Sequence, residues 1–208
     1  MINIENITFE SQNKTIAGCV YKPFDFSVGE LYPAIILCHG FAGVKELLLP
    51  AYAEAFATAG YMVLTFDYRG FGKSQGESGR LVPSLQIEDI HAAIDFVESL
   101  DYVDVDKLGL WGTSYGGANA IIAAAEAPSI KCLSVQLTFA NGERVVTSSM
   151  TDEEKIKFKQ MISSMKDKKE KTGKEMMVPL SKVLSDPQSQ AFYNKYSVEL
   201  KCTPLSRQ

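Results

Sequence analysis

Short unbroken apolar segments alternate with segments of helical character through the middle of the chain. The apolar runs occupy residues 34–38, 61–68, 108–112 and 132–140. A run without polar alternation is typical of a strand that is covered on both faces. Strands of this kind that alternate with helices form right-handed βαβ units around a parallel sheet. The sequence therefore predicts an α/β fold.

The segments between these runs carry the features of helices. Residues 50–59 begin with proline and are followed by Gly60, which suits a helix end. Apolar residues recur at helical spacing through residues 83–100, and residues 116–127 are rich in alanine. These three segments are predicted to be the helices that flank the sheet.

The N-terminal segment has a different pattern. Residues 4–11 and 15–21 are rich in β-branched and aromatic side chains and flank a polar segment at 12–14. This arrangement predicts an antiparallel β-hairpin that precedes the mostly parallel central sheet.

The sequence changes character after the last predicted strand. Thr151 and Glu154 form a capping box, and a narrow apolar stripe follows, which predicts a surface helix. A second short helix is predicted at residues 187–196. We expect two parts: a core domain over residues 1–145, and a helical lid or cap with a tail over residues 146–208.

The composition excludes several classes of protein. The 208 residues are 46% hydrophobic and 22% charged, which is enough apolar material for a large core and excludes disorder. A net charge of -4 without a basic arm argues against nucleic acid as a partner. No apolar stretch reaches the roughly 18 residues of a membrane span, and the N-terminus lacks a signal-peptide pattern. We expect a cytoplasmic protein without membrane contact.

No motif for a metal or a cofactor is present. The segment Gly70–Ser74 resembles phosphate-binding loops, but Asp67 and Gln75 stand where those motifs require glycine. Asp67 and Arg69 are better explained as residues that organise this loop. The cysteines lack C-x-x-C spacing and histidine neighbours, so no zinc site is expected; they are Cys19, Cys38, Cys132 and Cys202.

The pentapeptide Gly112–Gly116 matches G-x-S-x-G, the nucleophile elbow. In this motif a strand turns sharply into a helix and exposes the serine hydroxyl at the strand end. The alternative is a serine in an ordinary tight turn. An apolar strand enters the motif and an alanine-rich helix leaves it, and this context favours Ser114 as a nucleophile.

The segment His39–Phe41 follows the first buried strand of the parallel sheet. An acyl-transfer enzyme needs donors that face the oxygen that becomes negative in the tetrahedral intermediate, and fixed backbone N–H groups serve this purpose. We expect the amides of Phe41 and Tyr115 to form this oxyanion hole. The start of the helix after Ser114 adds a favourable dipole.

Three motifs together resemble the α/β-hydrolase superfamily: His39–Gly40, the D-x-R-G-x-G-x-S of Asp67–Ser74, and Gly112–Gly117. The resemblance covers residues 4–145 and is greatest to the Xaa-Pro dipeptidyl-peptidase-like and cocaine-esterase-like branch. It implies a serine hydrolase that cleaves an ester, a thioester or an amide or peptide bond of a small molecule. The reaction passes through an acyl-enzyme on Ser114 and needs no cofactor.

The chain departs from this superfamily in its histidines. The resemblance implies a triad in the order Ser, acid, His, yet no histidine follows Ser114. His39 is interpreted as an anchor of the oxyanion loop, His91 as a histidine at the edge of the core, and Glu143 as a solvated loop carboxylate. We therefore expect a C-terminally truncated hydrolase, without its last strands, triad acid and base, and inactive by itself.

Three functions remain open at this point. The chain is a serine hydrolase that has lost its C-terminal part, a non-catalytic relative that binds a ligand or a partner, or an enzyme that another chain completes. Truncation would leave the strand at residues 132–140 as an exposed hydrophobic sheet edge, which predicts low solubility or oligomerisation of this chain alone.

Overall fold

The computed structural model describes residues 2–174 together with residues 187, 190 and 191. The helix predicted at residues 187–196 therefore lies largely outside the described residues. In chain order the elements are β1 (Asn3–Ser11), β2 (Lys14–Lys22), β3 (Tyr32–Cys38), α1 (Leu49–Thr58), β4 (Met62–Phe66), α2 (Pro83–Glu98), β5 (Val103–Thr113), α3 (Ser114–Glu126), β6 (Ile130–Gln136), α4 (Gly142–Thr147) and α5 (Asp152–Thr172).

Within the described residues, the strands form one mixed sheet in the order β1-β2-β4-β3-β5-β6. Strands β3, β4, β5 and β6 are parallel to one another. The hairpin of β1 and β2 is antiparallel and joins the sheet through β4. The predicted α/β fold, with its N-terminal hairpin and mostly parallel sheet, is confirmed.

Apolar side chains cover both faces of β3, β4 and the second half of β5, whereas β6 is exposed along most of its length. In β3, Ile36 belongs to the large cluster that includes Ile90 of α2 and Ala120 of α3. The next residue, Leu37, faces the opposite side and packs with Leu49 of α1. Because successive side chains of a strand point to opposite faces, both faces of β3 must be apolar. This explains the apolar runs at residues 34–38, 61–68 and 108–112, whereas the prediction that the run at residues 132–140 is covered on both faces is wrong.

The strand boundaries differ from the prediction by more than two residues at two places. Strand β5 begins at Val103, five residues before the predicted start, because Val103 pairs with Tyr32 although the residues between Val103 and Leu108 are mostly charged and at least partly exposed. Strand β6 ends at Gln136, and the prediction that it continues to residue 140 is wrong. Leu137 has φ 53°, and a left-handed backbone turns the chain out of the sheet.

The chain divides into two units, residues 1–139 and residues 140–208. In the second unit, α5 begins with the predicted capping box: the Glu154 amide donates to Thr151 Oγ1, and the Thr151 amide donates to the Glu154 carboxylate. No residue of α5 is fully buried, as expected of a surface helix. No described helix combines the length and apolarity needed to cross a bilayer.

Candidate active site

Ser114 lies at the turn between β5 and α3, where the chain changes abruptly from strand to helix. Thr113 is still extended, with φ -115° and ψ 138°, whereas Ser114 is the first residue of the helix. Ser114 has φ 52°, in the left-handed region that residues other than glycine adopt rarely. Such a conformation costs roughly 1–3 kcal/mol and persists only where neighbouring structure holds it.

The two glycines of the pentapeptide are required by close backbone contacts. A Cβ on Gly112 would lie 2.7 Å from the Cα of Gly117. A Cβ on Gly116 would overlap the carbonyl oxygens of Cys38 and His39, at the end of β3. The first turn of α3 therefore rests directly on the strand that leads into the predicted oxyanion loop.

The loop after β3 lies beside Ser114. A Cβ on Gly40 would lie 3.6 Å from the Cβ of Ser114. The ring of Phe41 packs edge-to-face on the ring of Tyr115, with 5.9 Å between centroids. The structure thus brings together Ser114, Phe41 and Tyr115, the three residues that the sequence singles out.

His39 holds this loop in place from inside the protein. Its side chain is buried, and its Nε2 lies 2.7 Å from the carbonyl oxygen of Leu47, to which it donates. Burial lowers the pKa of His39, so the ring stays neutral. Gly43 leaves the space that the imidazole fills, because a Cβ there would overlap the ring. His39 is an anchor of the loop, in agreement with its interpretation from the sequence.

A buried ion pair joins the same loop to the loop after β4. Lys45 Nζ lies 2.8 Å from Asp67 Oδ2, and the Lys45 amide donates to Asp67 Oδ1 at 2.7 Å. Burial opposes the charge of Lys45, but hydrogen bonds to Asp67 and Glu46 outweigh burial and raise the pKa of Lys45. A Cβ on Gly72 would overlap the carboxylate of Asp67, so this loop wraps closely around the ion pair.

A second buried pair fixes the loop after β4 to α2. Arg69 Nη2 and Nε donate to Asp89 Oδ1 at 2.7 and 2.9 Å. Ser74 Oγ donates to the Asp67 carbonyl oxygen at 2.6 Å and accepts from the Ala17 amide of β2 at 2.9 Å. The D-x-R-G-x-G-x-S segment is thus a loop that its own polar side chains organise, as the sequence predicts for Asp67 and Arg69.

Neither histidine of the chain is free to act on Ser114. His39 is engaged with Leu47, as described. His91 Nε2 lies 2.9 Å from Glu126 Oε2, at the opposite end of α3 from Ser114. With a rise of 1.5 Å per residue, the length of α3 separates the two ends by roughly 18 Å.

The remaining acidic candidate, Glu143, belongs to the second unit. It lies in the first turn of α4 rather than at a strand end, and it is exposed and forms an ion pair with Lys159 at 2.8 Å. This agrees with its interpretation as a solvated carboxylate. Among the residues that the structure describes, no group of His, Cys, Asp or Glu is arranged to hold a metal ion.

Comparison with known families identifies the class of protein. The family profile described as "alpha/beta hydrolase fold" matches residues 33–161. This match covers more than half of the chain and includes both the loop after β3 and the turn at Ser114. The chain belongs to the α/β hydrolase fold family.

Individual relatives agree with this assignment. The chain is 48% identical over 164 residues to the uncharacterised 31.7 kDa protein of the traX-finO intergenic region of Escherichia coli, covering 79% of this chain and 57% of that protein. It is 34% identical over 179 residues to the quorum-quenching protein AidA of Acinetobacter baumannii, covering 85% of this chain and 57% of AidA. The chain thus spans 57% of the length of each of these curated relatives.

A solved structure extends the comparison to the fold. The hypothetical protein PA2218 of Pseudomonas aeruginosa is 25% identical and superimposes with a TM-score of 0.75. The superposition covers 98% of this chain and 64% of that one.

Two contacts of the site escape prediction from sequence. Lys45 belongs to no motif, and lysines are rarely buried without a partner. The sequence places Thr138 inside a strand, whereas the structure places it after β6 with its hydroxyl 3.1 Å from the Ser114 carbonyl oxygen. The sequence feature that pointed to a close contact at this position was Gly117, a further glycine directly after the G-x-S-x-G pentapeptide.

Proposed function

We propose that the protein is a serine hydrolase that forms an acyl-enzyme on Ser114. The observation that carries this proposal is the left-handed Ser114 at the junction of β5 and α3, beside the loop of Gly40 and Phe41. A buried framework supports both segments. A residue held in a strained conformation by such a framework is typical of a functional site.

The proposed reaction begins with attack of Ser114 Oγ on the carbonyl carbon of an ester, a thioester or an amide. The hydroxyl proton passes to a base, and the carbonyl oxygen becomes an oxyanion. The backbone amides of Phe41 and Tyr115 donate to this oxyanion, and the N-terminus of α3 adds a favourable dipole. The leaving group takes a proton and departs, and water then hydrolyses the acyl-enzyme.

The base of this reaction is neither His39 nor His91, since other residues engage both rings. A serine hydroxyl is a weak nucleophile until an adjacent base takes its proton. We propose that a histidine from a longer form of the chain or from a second molecule supplies this base. Residues 1–208 alone then do not turn over substrate.

A tetrahedral adduct tests the proposed geometry directly. Phenylboronic acid, supplied together with imidazole as the external base, adds reversibly to an exposed serine hydroxyl and places a boron-bound oxygen where the oxyanion forms. We expect a structure of the adduct with boron on Ser114 and this oxygen about 2.7–3.1 Å from the amide nitrogens of Phe41 and Tyr115. The Ser114→Ala variant should show no adduct. An oxygen that points away from both amides would refute the proposed oxyanion hole.

One observation favours a second candidate function. Because neither histidine serves Ser114, a non-catalytic protein that binds a ligand or a partner at the same turn is the alternative. A stable, folded protein that forms no boronic acid adduct would favour this alternative.

For the catalytic proposal, the narrower resemblance to the Xaa-Pro dipeptidyl-peptidase-like branch makes peptides with proline the first substrates to test.

A further inference from the structure

The chain that leaves β6 passes beside Ser114. Strands β5 and β6 are parallel, and Thr113 pairs with Gln136, so the two strands end side by side. At Leu137 the backbone becomes left-handed, with φ 53°, and the chain leaves the sheet. Thr138 is the next residue. This turn brings Thr138 next to the junction at which α3 begins.

Thr138 contacts this junction in two ways. Its hydroxyl Oγ1 donates a hydrogen bond to the carbonyl oxygen of Ser114, at 3.1 Å. Its side chain also occupies the space beside Gly117, where an added Cβ would lie 2.9 Å from Thr138 Oγ1 and 3.0 Å from Thr138 Cβ. The glycine at position 117 therefore leaves the room that Thr138 takes.

The carbonyl group that Thr138 contacts is part of the same peptide group as the Tyr115 amide, which is a proposed oxyanion donor. The carbonyl of Ser114 and the N–H of Tyr115 belong to one peptide group, which is planar and trans. A bond that fixes the carbonyl end of this plane also fixes the direction of the N–H at the other end. Hydrogen bonds at both ends of a peptide group also polarise and strengthen one another.

We propose that Thr138 is a positioning residue that orients the Tyr115 amide for the oxyanion by holding the Ser114 carbonyl. This inference rests on the proposed function, in which the Tyr115 amide is one of two oxyanion donors. The ring of Phe139 supports the same arrangement, since it packs on the ring of Tyr115 with 6.3 Å between centroids. Thr138 acts through the backbone and does not touch the substrate.

The experiment compares Thr138→Val with Thr138→Ser in the full chain. Valine keeps the shape of threonine but removes the hydroxyl, and serine keeps the hydroxyl. Two quantities are measured: the affinity for phenylboronic acid, and the NMR chemical shift and hydrogen-exchange rate of the Tyr115 amide. We expect Thr138→Val to weaken boronic acid binding roughly 5-fold and to shift the Tyr115 amide, because one hydrogen bond is lost. Thr138→Ser should restore both properties.

The amide measurement keeps the inference separate from the proposed function. If folded Thr138→Val retains the Tyr115 amide shift and exchange rate of the wild type, the inference is overturned, even if its melting temperature falls. If the wild type binds no boronic acid, the proposed function fails, and the amide measurement alone then decides the inference. Should Thr138→Val not fold, Thr138→Ala removes the same hydroxyl without filling the space beside Gly117, and the same readouts apply.

Discussion

Lys45 and Asp67 form an ion pair inside the protein, with Nζ 2.8 Å from Oδ2 and with both side chains at most 3% exposed. The pair connects the loop after β3 to the loop after β4, and each of these loops follows a parallel strand at the same edge of the sheet. The loop after β3, which contains the proposed oxyanion donor Phe41, is therefore stabilised by a contact between residues 22 positions apart in sequence.

Loss of the carboxylate at Asp67 should destabilise the protein strongly. Asp67→Asn leaves the ammonium group of Lys45 buried with only the half-buried Glu46 as an anionic partner. Breaking one side of a buried pair costs about 3–5 kcal/mol, and Glu46 places the expected loss near the lower value. The free energy of unfolding in urea measures this loss. Glu77→Gln, which breaks the exposed pair with Arg80, is the control and should change stability by less than about 1 kcal/mol.

His39 should make stability depend on pH in the weakly acidic range. Burial lowers its pKa in the folded state, whereas the unfolded chain has a pKa of about 6.5. The unfolded state thus binds the proton first as the pH falls, and stability decreases below about pH 6.5, by at most about 1.4 kcal/mol per pH unit. Unfolding free energies measured between about pH 7 and pH 5 should show this slope in the wild type.

The two histidines offer a matched comparison for this slope. In His39→Gln the contribution of His39 should disappear, while His91→Gln should retain it because His39 is still present. An unchanged slope in His39→Gln would contradict the assignment of this pH dependence to the buried anchor.

Gly116 should tolerate no side chain. In Gly116→Ala the new methyl group would overlap the carbonyl oxygens of Cys38 and His39, so α3 must move away from β3. We expect a loss of about 3 kcal/mol or more in the free energy of unfolding. Gly60→Ala is the control, since its φ of 92° is strained but no atom lies within 4 Å of an added Cβ. That substitution should cost only about 1–2 kcal/mol.

The open edge of β6 should cause the chain to associate. Among the strands of residues 2–174, β6 pairs with β5 alone, and its apolar side chains Leu133 and Val135 are exposed. A flat apolar edge pairs readily with another chain, and a lysine on the edge prevents this. We expect oligomers in sedimentation velocity, and mostly monomer for Val135→Lys. Val105→Lys, at an equally exposed valine of β5, should leave association unchanged, and a monomeric wild type would contradict the prediction.

The sequence predicts the fold well because its main determinant is local. Buried parallel strands need apolar residues on both faces, so residues 34–38 and 108–112 are recognisable without knowledge of their partners. The turn at Ser114 is recognisable because its glycines and serine form a known motif within five residues, although Gly116 makes room for carbonyl groups of β3 that are distant in sequence. Boundaries were less predictable: the first part of β5 alternates valine with charged residues and is largely exposed, and the left-handed Leu137 that ends β6 has no local signal.

Contacts between distant residues account for what the sequence does not predict. Lys45 contacts Asp67 only once β3 and β4 lie side by side, and the sequence around a single lysine does not indicate that its side chain is buried. Thr138 reaches Ser114 across 24 residues and only because the chain turns at Leu137. Pairing of this kind depends on the assembled sheet rather than on any pattern along the chain.

We propose that Ser114 is a nucleophile for which neither His39 nor His91 serves as the base. Chemical rescue tests it: residues 1–208 are treated with a fluorophosphonate at increasing concentrations of imidazole, which supplies an external base, and the modified residue is identified by peptide mass spectrometry. We predict phosphonylation at Ser114 at a rate that rises with imidazole, and none at this site in Ser114→Ala. Folded protein that stays unmodified at Ser114 at every imidazole concentration, or that is modified equally at other serines, would show that Ser114 is not the nucleophile.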